Sequence, residues 1–277
     1  MLSDSLTLPA IVVGIDGSTA ALRAAVWAVD EAVSRDIPLR LVHAFDVDDS
    51  REPHAAESAV RHVIAAVEAT GGPVKIETDF IRGHPVSTLA RASRAAAMLC
   101  VGAVGSDHFE PERVGSTAAT VAASAHCPVA VVHGHGRPTP THLGWVVAEA
   151  DKAPDNGVVL GAAVEEARLR NAPLRVITRW QSPSSSQCAI AEGDRRIRAR
   201  LARRLAPWRR RYPDLQIESI AVHGSILEYL AKNAADMQLL VVGARDPHRV
   251  SELCGPAGYA AIGDCDCVLL VVDHQHL

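Results

Sequence analysis

Aromatic residues are scarce in this chain of 277 residues: three Phe, three Tyr and four Trp make up 4% of it, against 48% hydrophobic residues in all. A core of that composition has to be built from Ala, Val, Leu and Ile, which suits parallel sheets covered by helices. Cysteine is sparse as well, with six in the chain, too few for a disulfide scaffold. No apolar run is long enough to span a bilayer. The opening residues MLSDSLTLPAIVVG carry no basic leader or signal-type cleavage pattern, so a cytoplasmic location is expected. A basic excess is missing too: the net charge of -4 argues against specific nucleic-acid binding, which favours a basic surface. There is no G-x4-G-K-S/T phosphate loop, no G-x-S-x-G elbow and no H-E-x-x-H helix. No catalytic residue is therefore assigned.

What the chain does have is an internal repeat. RDIPLRLVHAF (35–45) matches RNAPLRVITRW (170–180), and residues 76–105 match 217–246 at an offset of 141. HCPVAVVHGH (126–135) corresponds to CDCVLLVVDHQ (265–275). The segment GHGRPTPTH (134–142), with two prolines and two glycines, reads as a linker. The repeat divides the chain into two domains, 1–137 and 142–277.

Within each half, apolar β-rich runs alternate with helical patterns. Strands are expected at Ala10–Ile15, Leu39–Phe45, Val74–Ile81, Met98–Gly102 and Val129–His133, and helices near 19–35, 55–70, 85–95 and 115–125. The second half opens with a strand at Leu143–Ala148, a helix near 155–171 and a strand at Leu174–Arg179, followed by a loop, SPSSSQ (182–187), with a flexible tip. Strand–helix alternation implies βαβ units with right-handed crossovers. The expected fold is α/β: two tandem doubly wound domains, each a largely parallel five-stranded sheet with helices on both faces. Ligands then belong at the carboxyl ends of the strands.

The chemistry gathers in VGAVGSDHFEPERVGSTAATVA, where Gly102, Gly105 and Gly115 stand at G-x2-G-x9-G, followed by Ser116 and Thr117. Glycines let a backbone approach an anion closely, and amide groups at a helix start face it. An acid after the first strand, Asp16 in IVVGIDGS (11–18), can accept hydrogen bonds from ribose or adenine. In isolation, Asp-Gly-Ser reads as a turn.

These motifs together resemble those of the universal stress protein family, as a tandem of two such domains with the ATP-binding motif intact in the first. The resemblance implies ATP with Mg2+ as cofactor. It places Asp16 beside the adenosine and Ala44 along the adenine, with Gly14, Ile15 and Val101 at the adjoining strand ends. Gly102, Gly105, Gly115, Ser116 and Thr117 would hold the triphosphate. Asp107 is unhelpful next to polyphosphate unless a metal ion intervenes, and Arg113 or His108 could offset it. The resemblance also implies a stress-response role, pairing of the two halves through Val129–His133 and Val268–Asp273, and further association into a homodimer.

The second half departs from the motif. Ala150 aligns with Asp16 in AEADKAPDN, with Asp151 available by a shift of one. Asp246 replaces the second glycine, and CGPAG (254–258) stands for Gly-Ser-Thr. Pro256 lacks the amide that a phosphate would need, so this site reads as degenerate. The stretch 194–212 carries nine arginines. Ile197, Leu201 and Leu205 at helical spacing mark it as a solvated helix face, with docking of an acidic partner as the sharper reading. Cys265 and Cys267, taken as alternating onto one strand face near His274 and His276, match no common zinc spacing, and no metal ligand is assigned.

Three functions fit: a nucleotide-binding regulator whose ligand shifts conformation or oligomer state, a slow ATP hydrolase or nucleotidyl-transfer enzyme, and an ATP-independent scaffold.

Overall fold

The structure is a computed structural model and describes residues 9–45, 52–105, 116–133, 144–150, 157–182, 186–262 and 265–273. The first half contains β1 (Ala10–Ile15), α1 (Thr19–Arg35), β2 (Leu39–Phe45), α2 (Glu52–Glu68), β3 (Ile76–Arg82), α3 (Pro85–Ala92), β4 (Ala96–Gly102), α4 (Ser116–Ser124) and β5 (Val129–Val132). The second contains β6 (Trp145–Glu149), α5 (Gly157–Leu169), β7 (Leu174–Trp180), α6 (Gln187–Arg211), β8 (Ile217–His223), α7 (Ile226–Asn233), β9 (Met237–Gly243), α8 (Pro247–Cys254), α9 (Pro256–Ile262) and β10 (Val268–Val272).

All ten strands form one sheet in the order β3-β2-β1-β4-β5-β10-β9-β6-β7-β8. Every pairing is parallel except the central one, where Val129–Val132 runs antiparallel to Val268–Val271. The halves thus join through their last strands, and the sheet continues across the join. Strands buried on both faces read as continuous apolar runs; in β1 only Gly14 is less than fully buried. The outermost strands are different. In β3 most residues are exposed or half-buried, and Arg40 of β2 reaches Glu77 across the pair at 2.8 Å. Arg175 of β7 meets Glu218 of β8 in the same way at 2.8 Å. Charge on such edges discourages pairing with other chains.

Two cores cover the two faces of the sheet, and both draw on both halves. One contains Ile11, Val13 and Leu41 with Ala24 and Ala28 of α1, and continues into Val146, Val176, Leu160 and Leu201. The other contains Val12, Val42 and Leu99, and continues into Val147, Leu240 and Leu253. Small residues on α1 let it lie close to the sheet. Ser18 caps that helix by accepting from the Ala21 amide at 3.0 Å, and Asp36 ends it in the left-handed region at φ 53°. Asn171 repeats that cap after α5 at φ 48°.

Where α1 and α5 face each other, four charged side chains interlock. Arg35 binds Glu31 on its own helix and Glu166 on the other, the latter at 2.6 Å; Arg170 binds Glu166 and, across the junction, Glu31. Both glutamates are buried. Burial and the neighbouring Glu166 push the Glu31 carboxyl above its ordinary range against the pull of Arg170 and Arg35.

Several expectations need correcting. The strand placed at Val74–Ile81 begins at Ile76, because Val74 lies in the turn after α2, its amide bonded to the Gly72 carbonyl. The strand placed at Leu143–Ala148 is Trp145–Glu149. Cys265 and Cys267 precede β10 and do not alternate along it; Cys267 is buried and Cys265 half-buried. The linker 134–142, the tip of the 182–187 loop at 183–185, and His274 and His276 lie outside the described residues.

Candidate functional site

In this strand order, neighbouring connections leave in opposite directions on either side of the β1–β4 pair, so a crevice opens at their carboxyl ends. Gly14 and the buried Ile15 close β1, and Val101 and Gly102 close β4. Asp16 follows directly. Its Oδ1 accepts the Ser18 amide at 2.9 Å, so the Asp-Gly-Ser turn is real, helped by Gly17 at φ +82°. The other carboxylate oxygen faces across to the β4 side, where a Cβ on Gly105 would stand 3.1 Å from Oδ2. Glycine at 105 leaves that space open beside the carboxylate.

Gly102 has a packing reason of its own. A Cβ there would lie 2.6 Å from Ala20 and 2.8 Å from the Ala21 nitrogen, against the start of α1. Any side chain at 102 would push that helix off the sheet. Ser116 and Thr117 form the first turn of α4, with Thr117 exposed. Gly115, Asp107, His108 and Arg113 lie outside the described residues.

A cleft of about 530 Å³ opens beside Asp16, on the α1–α2 side of the sheet. It is lined by Asp16, Gly17, His43, Ala56, Ser58, Ala59 and His62. Alternation along β2 turns His43 toward this side, as it does Leu41, and turns Ala44 toward the other, with Val42. The small side chains of Ala56 and Ala59 leave the volume, while Ser58 and His62, four residues apart on one face of α2, supply polar groups at its rim. His43 is buried, with no hydrogen-bond partner for either ring nitrogen among the described residues, and its ring lies 6.3 Å from that of Phe80. The cleft therefore offers a carboxylate, two imidazoles and a hydroxyl around apolar walls, a set suited to a planar heterocycle carrying hydroxyl groups. Of the described sequence candidates, only Asp16 lines it. His43 and His62 went unnoticed, although their residue types at a strand end and a helix face were visible signals.

The second half has the same frame but a different loop. Ile11 pairs with Met98, and Val146 pairs with Leu239; the first strands therefore differ by 135 residues, and the counterpart of Asp16 is Asp151, not Ala150. Ala150 is a buried residue whose amide bonds the Ile177 carbonyl at 2.8 Å. Asp151 lies outside the described residues. Asp246, in place of the second glycine, caps α8 by accepting the Arg249 amide at 3.1 Å. CGPAG forms the junction of α8 and α9: a Cβ on Gly258 would collide with the Leu253 backbone, and one on Gly255 would stand 2.7 Å from the Ser251 carbonyl oxygen. In place of the glycine motif, this half has a helix cap and a helix–helix turn.

The arginine-rich stretch belongs to α6. Ile197, Leu201 and Leu205 face the core, and most of the arginines are exposed. Trp208 is half-buried and stacked on Tyr212, so it is not displayed beside the arginines. Among the described residues, no group of three or more His, Cys, Asp or Glu side chains is arranged to hold a metal ion, and no helix is long and apolar enough to cross a membrane.

Comparison with known proteins agrees with this frame. The family model described as "Universal stress protein family" matches residues 8–133, the half with the complete glycine motif. Universal stress protein Rv2028c of Mycobacterium tuberculosis is 49% identical over 97% of this chain and 98% of its own length. Universal stress protein Rv3134c of the same organism is 47% identical over 92% and 94%. Among solved structures, a universal stress protein from Archaeoglobus fulgidus superposes with a TM-score of 0.70 at 16% identity, covering 95% of this chain and 96% of that one. That likeness speaks for the fold alone. Nearly full-length identity approaching one half means that the chain belongs to the universal stress protein family.

Proposed function

We propose that the protein is a nucleotide-binding regulator of the stress response that holds ATP, with Mg2+, mainly in its N-terminal half. The proposed contacts on the adenosine side are Gly14, Ile15, Asp16 and, through its backbone at the end of β2, Ala44, with Val101 at the adjoining strand end. Gly102, Gly105, Gly115, Ser116 and Thr117 serve the triphosphate, within a domain spanning 1–137 that is paired with a second, 142–277. Bound nucleotide shifts conformation or the association of chains into a homodimer by its difference in affinity for the two states. The reading places the protein in the cytoplasm.

One observation carries this reading. The Asp16 carboxylate faces Gly105 so closely that a Cβ there would stand 3.1 Å from Oδ2, at the reversal of strand order and beside a cleft with apolar walls and polar rims. In doubly wound sheets that is where a nucleotide's ribose meets a carboxylate and its phosphates meet glycine amides. His43 and His62 extend the proposed site toward the base. The residues present suit the nucleotide: the missing Cβ at 105 leaves the backbone approachable beside the Asp16 carboxylate, and Mg2+ would offset the charge of the phosphates themselves.

The test is calorimetric titration of the full chain with ATP and Mg2+, alongside Asp16→Ala and Gly115→Ala. Saturable binding lost in both folded variants is the expected result. Unchanged affinity in both would remove the site. Mass spectrometry of ligand released from the purified protein gives an independent identification of the nucleotide.

A further inference from the structure

The helix between the second and third strands differs sharply in charge between the halves. In the first half α2 carries one Arg and three Glu; in the second, α6 carries nine Arg against Glu192 and Asp194. That is a net +7 in a chain of net -4, so the rest of the chain carries -11. Covering the sheet does not call for this charge: Ile197, Leu201 and Leu205 make the core contact, as Val60, Val63 and Val67 do for α2. With about 3.6 residues per turn, Arg196, Arg203 and Arg210 stand seven residues apart in one line, opposite Leu201 and Leu205. Arg195 and Arg200 flank that line, which is about 21 Å long at about 1.5 Å per residue. All five are exposed, and among the described residues none of the five has an ion pair or hydrogen bond. Arg198, Arg209 and Arg211 are engaged, with Asp194, the Ile217 carbonyl and the Tyr212 ring.

The row narrows its partner by what it lacks. Only Ala199, Ala206 and Pro207 stand between its arginines, and Trp208 is half-buried against Tyr212. Without an apolar or aromatic anchor the face has no centre for a protein interface and no platform for unpaired bases. The apolar side of α6 lies in the core, so none is left for a lipid surface. Single exposed ion pairs contribute little. An array of exposed cations gains more from a polyanion dense enough to condense counterions, which contact releases. The ligand has to be narrow as well as dense. The exposed Glu192 stands on the same line four residues before Arg196, and the rest of the chain is acidic, so a wide duplex meets repulsion around the row. We propose that the outer face of α6 binds a linear polyphosphate chain, its guanidinium groups pairing with phosphates along the row. This surface belongs to the second half and does not depend on the nucleotide reading of the first.

The test is fluorescence anisotropy of end-labelled linear inorganic polyphosphate titrated with the full chain at several salt concentrations. Binding should be saturable, with log K falling against log salt at a slope of about -3 to -4 for five contacts at about -0.7 each. Combining Arg196→Gln, Arg203→Gln and Arg210→Gln should reduce that slope by about two and weaken binding about tenfold or more at low salt. Arg61→Gln, Arg91→Gln and Arg94→Gln together remove the same charge from exposed positions in the first half, and this control should bind as the wild type does. Should the α6 triple variant melt lower than the wild type, Arg203→Gln alone, expected to reduce the slope by about 0.7, is held to the same criterion. Absence of saturable binding, or equal losses in the two triple variants, overturns the proposal. So does polyglutamate or duplex DNA of equal total charge binding as tightly as polyphosphate.

Discussion

The two halves of the chain are alike in their frame and unlike at the ends of their second strands. Both use the strand order 3-2-1-4-5, both close the first helix with a left-handed residue, and both tie their outer strands with an Arg–Glu pair. In the first half, Ala56, Ala59, His43 and His62 surround an open cleft. In the second, Trp180 stands at the position of Phe45 and packs against Gly193. Counting back from the third strands of the halves, which differ by 141 residues, Ala56 and His62 give way to Ile197 and Arg203. The lesson is where a duplicated domain can change. Strands buried on both faces tolerate little, because each must fill fixed space in two cores at once. The carboxyl ends of the strands face outward and are freer to change their side chains.

The largest effect is expected where the halves meet on equal terms. Glu31→Ala leaves Arg35 and Arg170 short of a buried partner and should cost about 3–5 kcal/mol in denaturant unfolding. Replacing Glu166 in addition should add less than its own single effect, since the four side chains act as one network. Simple additivity would mean that α1 and α5 are not coupled through these charges.

A second contrast lies at the ends of the last strands. His133 follows β5 and is buried, while its counterpart Asp273 after β10 is only partly covered. Burial pulls the His133 pKa down to about 4. The unfolded chain takes up its proton near 6.5, so stability is whole above that pH and declines as the pH falls toward 4, by about 3 kcal/mol in all. His133→Leu should flatten this window in pH-dependent unfolding. An unchanged acid limb would assign it to other groups.

Gly102→Ala separates packing from binding. Its Cβ would meet the backbone of α1 at 2.6 Å, so a loss of about 1–3 kcal/mol is expected with or without nucleotide. An unchanged melting temperature in Gly102→Ala would show that the start of α1 leaves room for a side chain there.

Much of this frame was legible in the residues. Thr19–Arg35 was readable because Ser18 caps it and an apolar stripe runs along it. The central strands were readable because burial on both faces makes them uniformly apolar. The α8 and α9 helices were not, since a Pro- and Gly-laced segment reads as loop until Asp246 is seen capping it. The match of Ala150 to Asp16 slipped by one because it followed the motif, whereas sheet register pairs whole strands. The Glu31–Arg170 contact joins residues 139 apart, and Trp180 meets Gly193 on a different element. Local spacing carries no trace of either. The cleft went unseen for the same reason: its lining comes from β2 and α2 as well as from the turn that holds Asp16.

The central claim is one working nucleotide site in a chain with two similar halves. Isothermal titration of the full chain with ATP and Mg2+ reads it directly as a stoichiometry. One site per chain, lost in Asp16→Ala, is the predicted result. Two equal sites per chain, or one that survives Asp16→Ala, would contradict it.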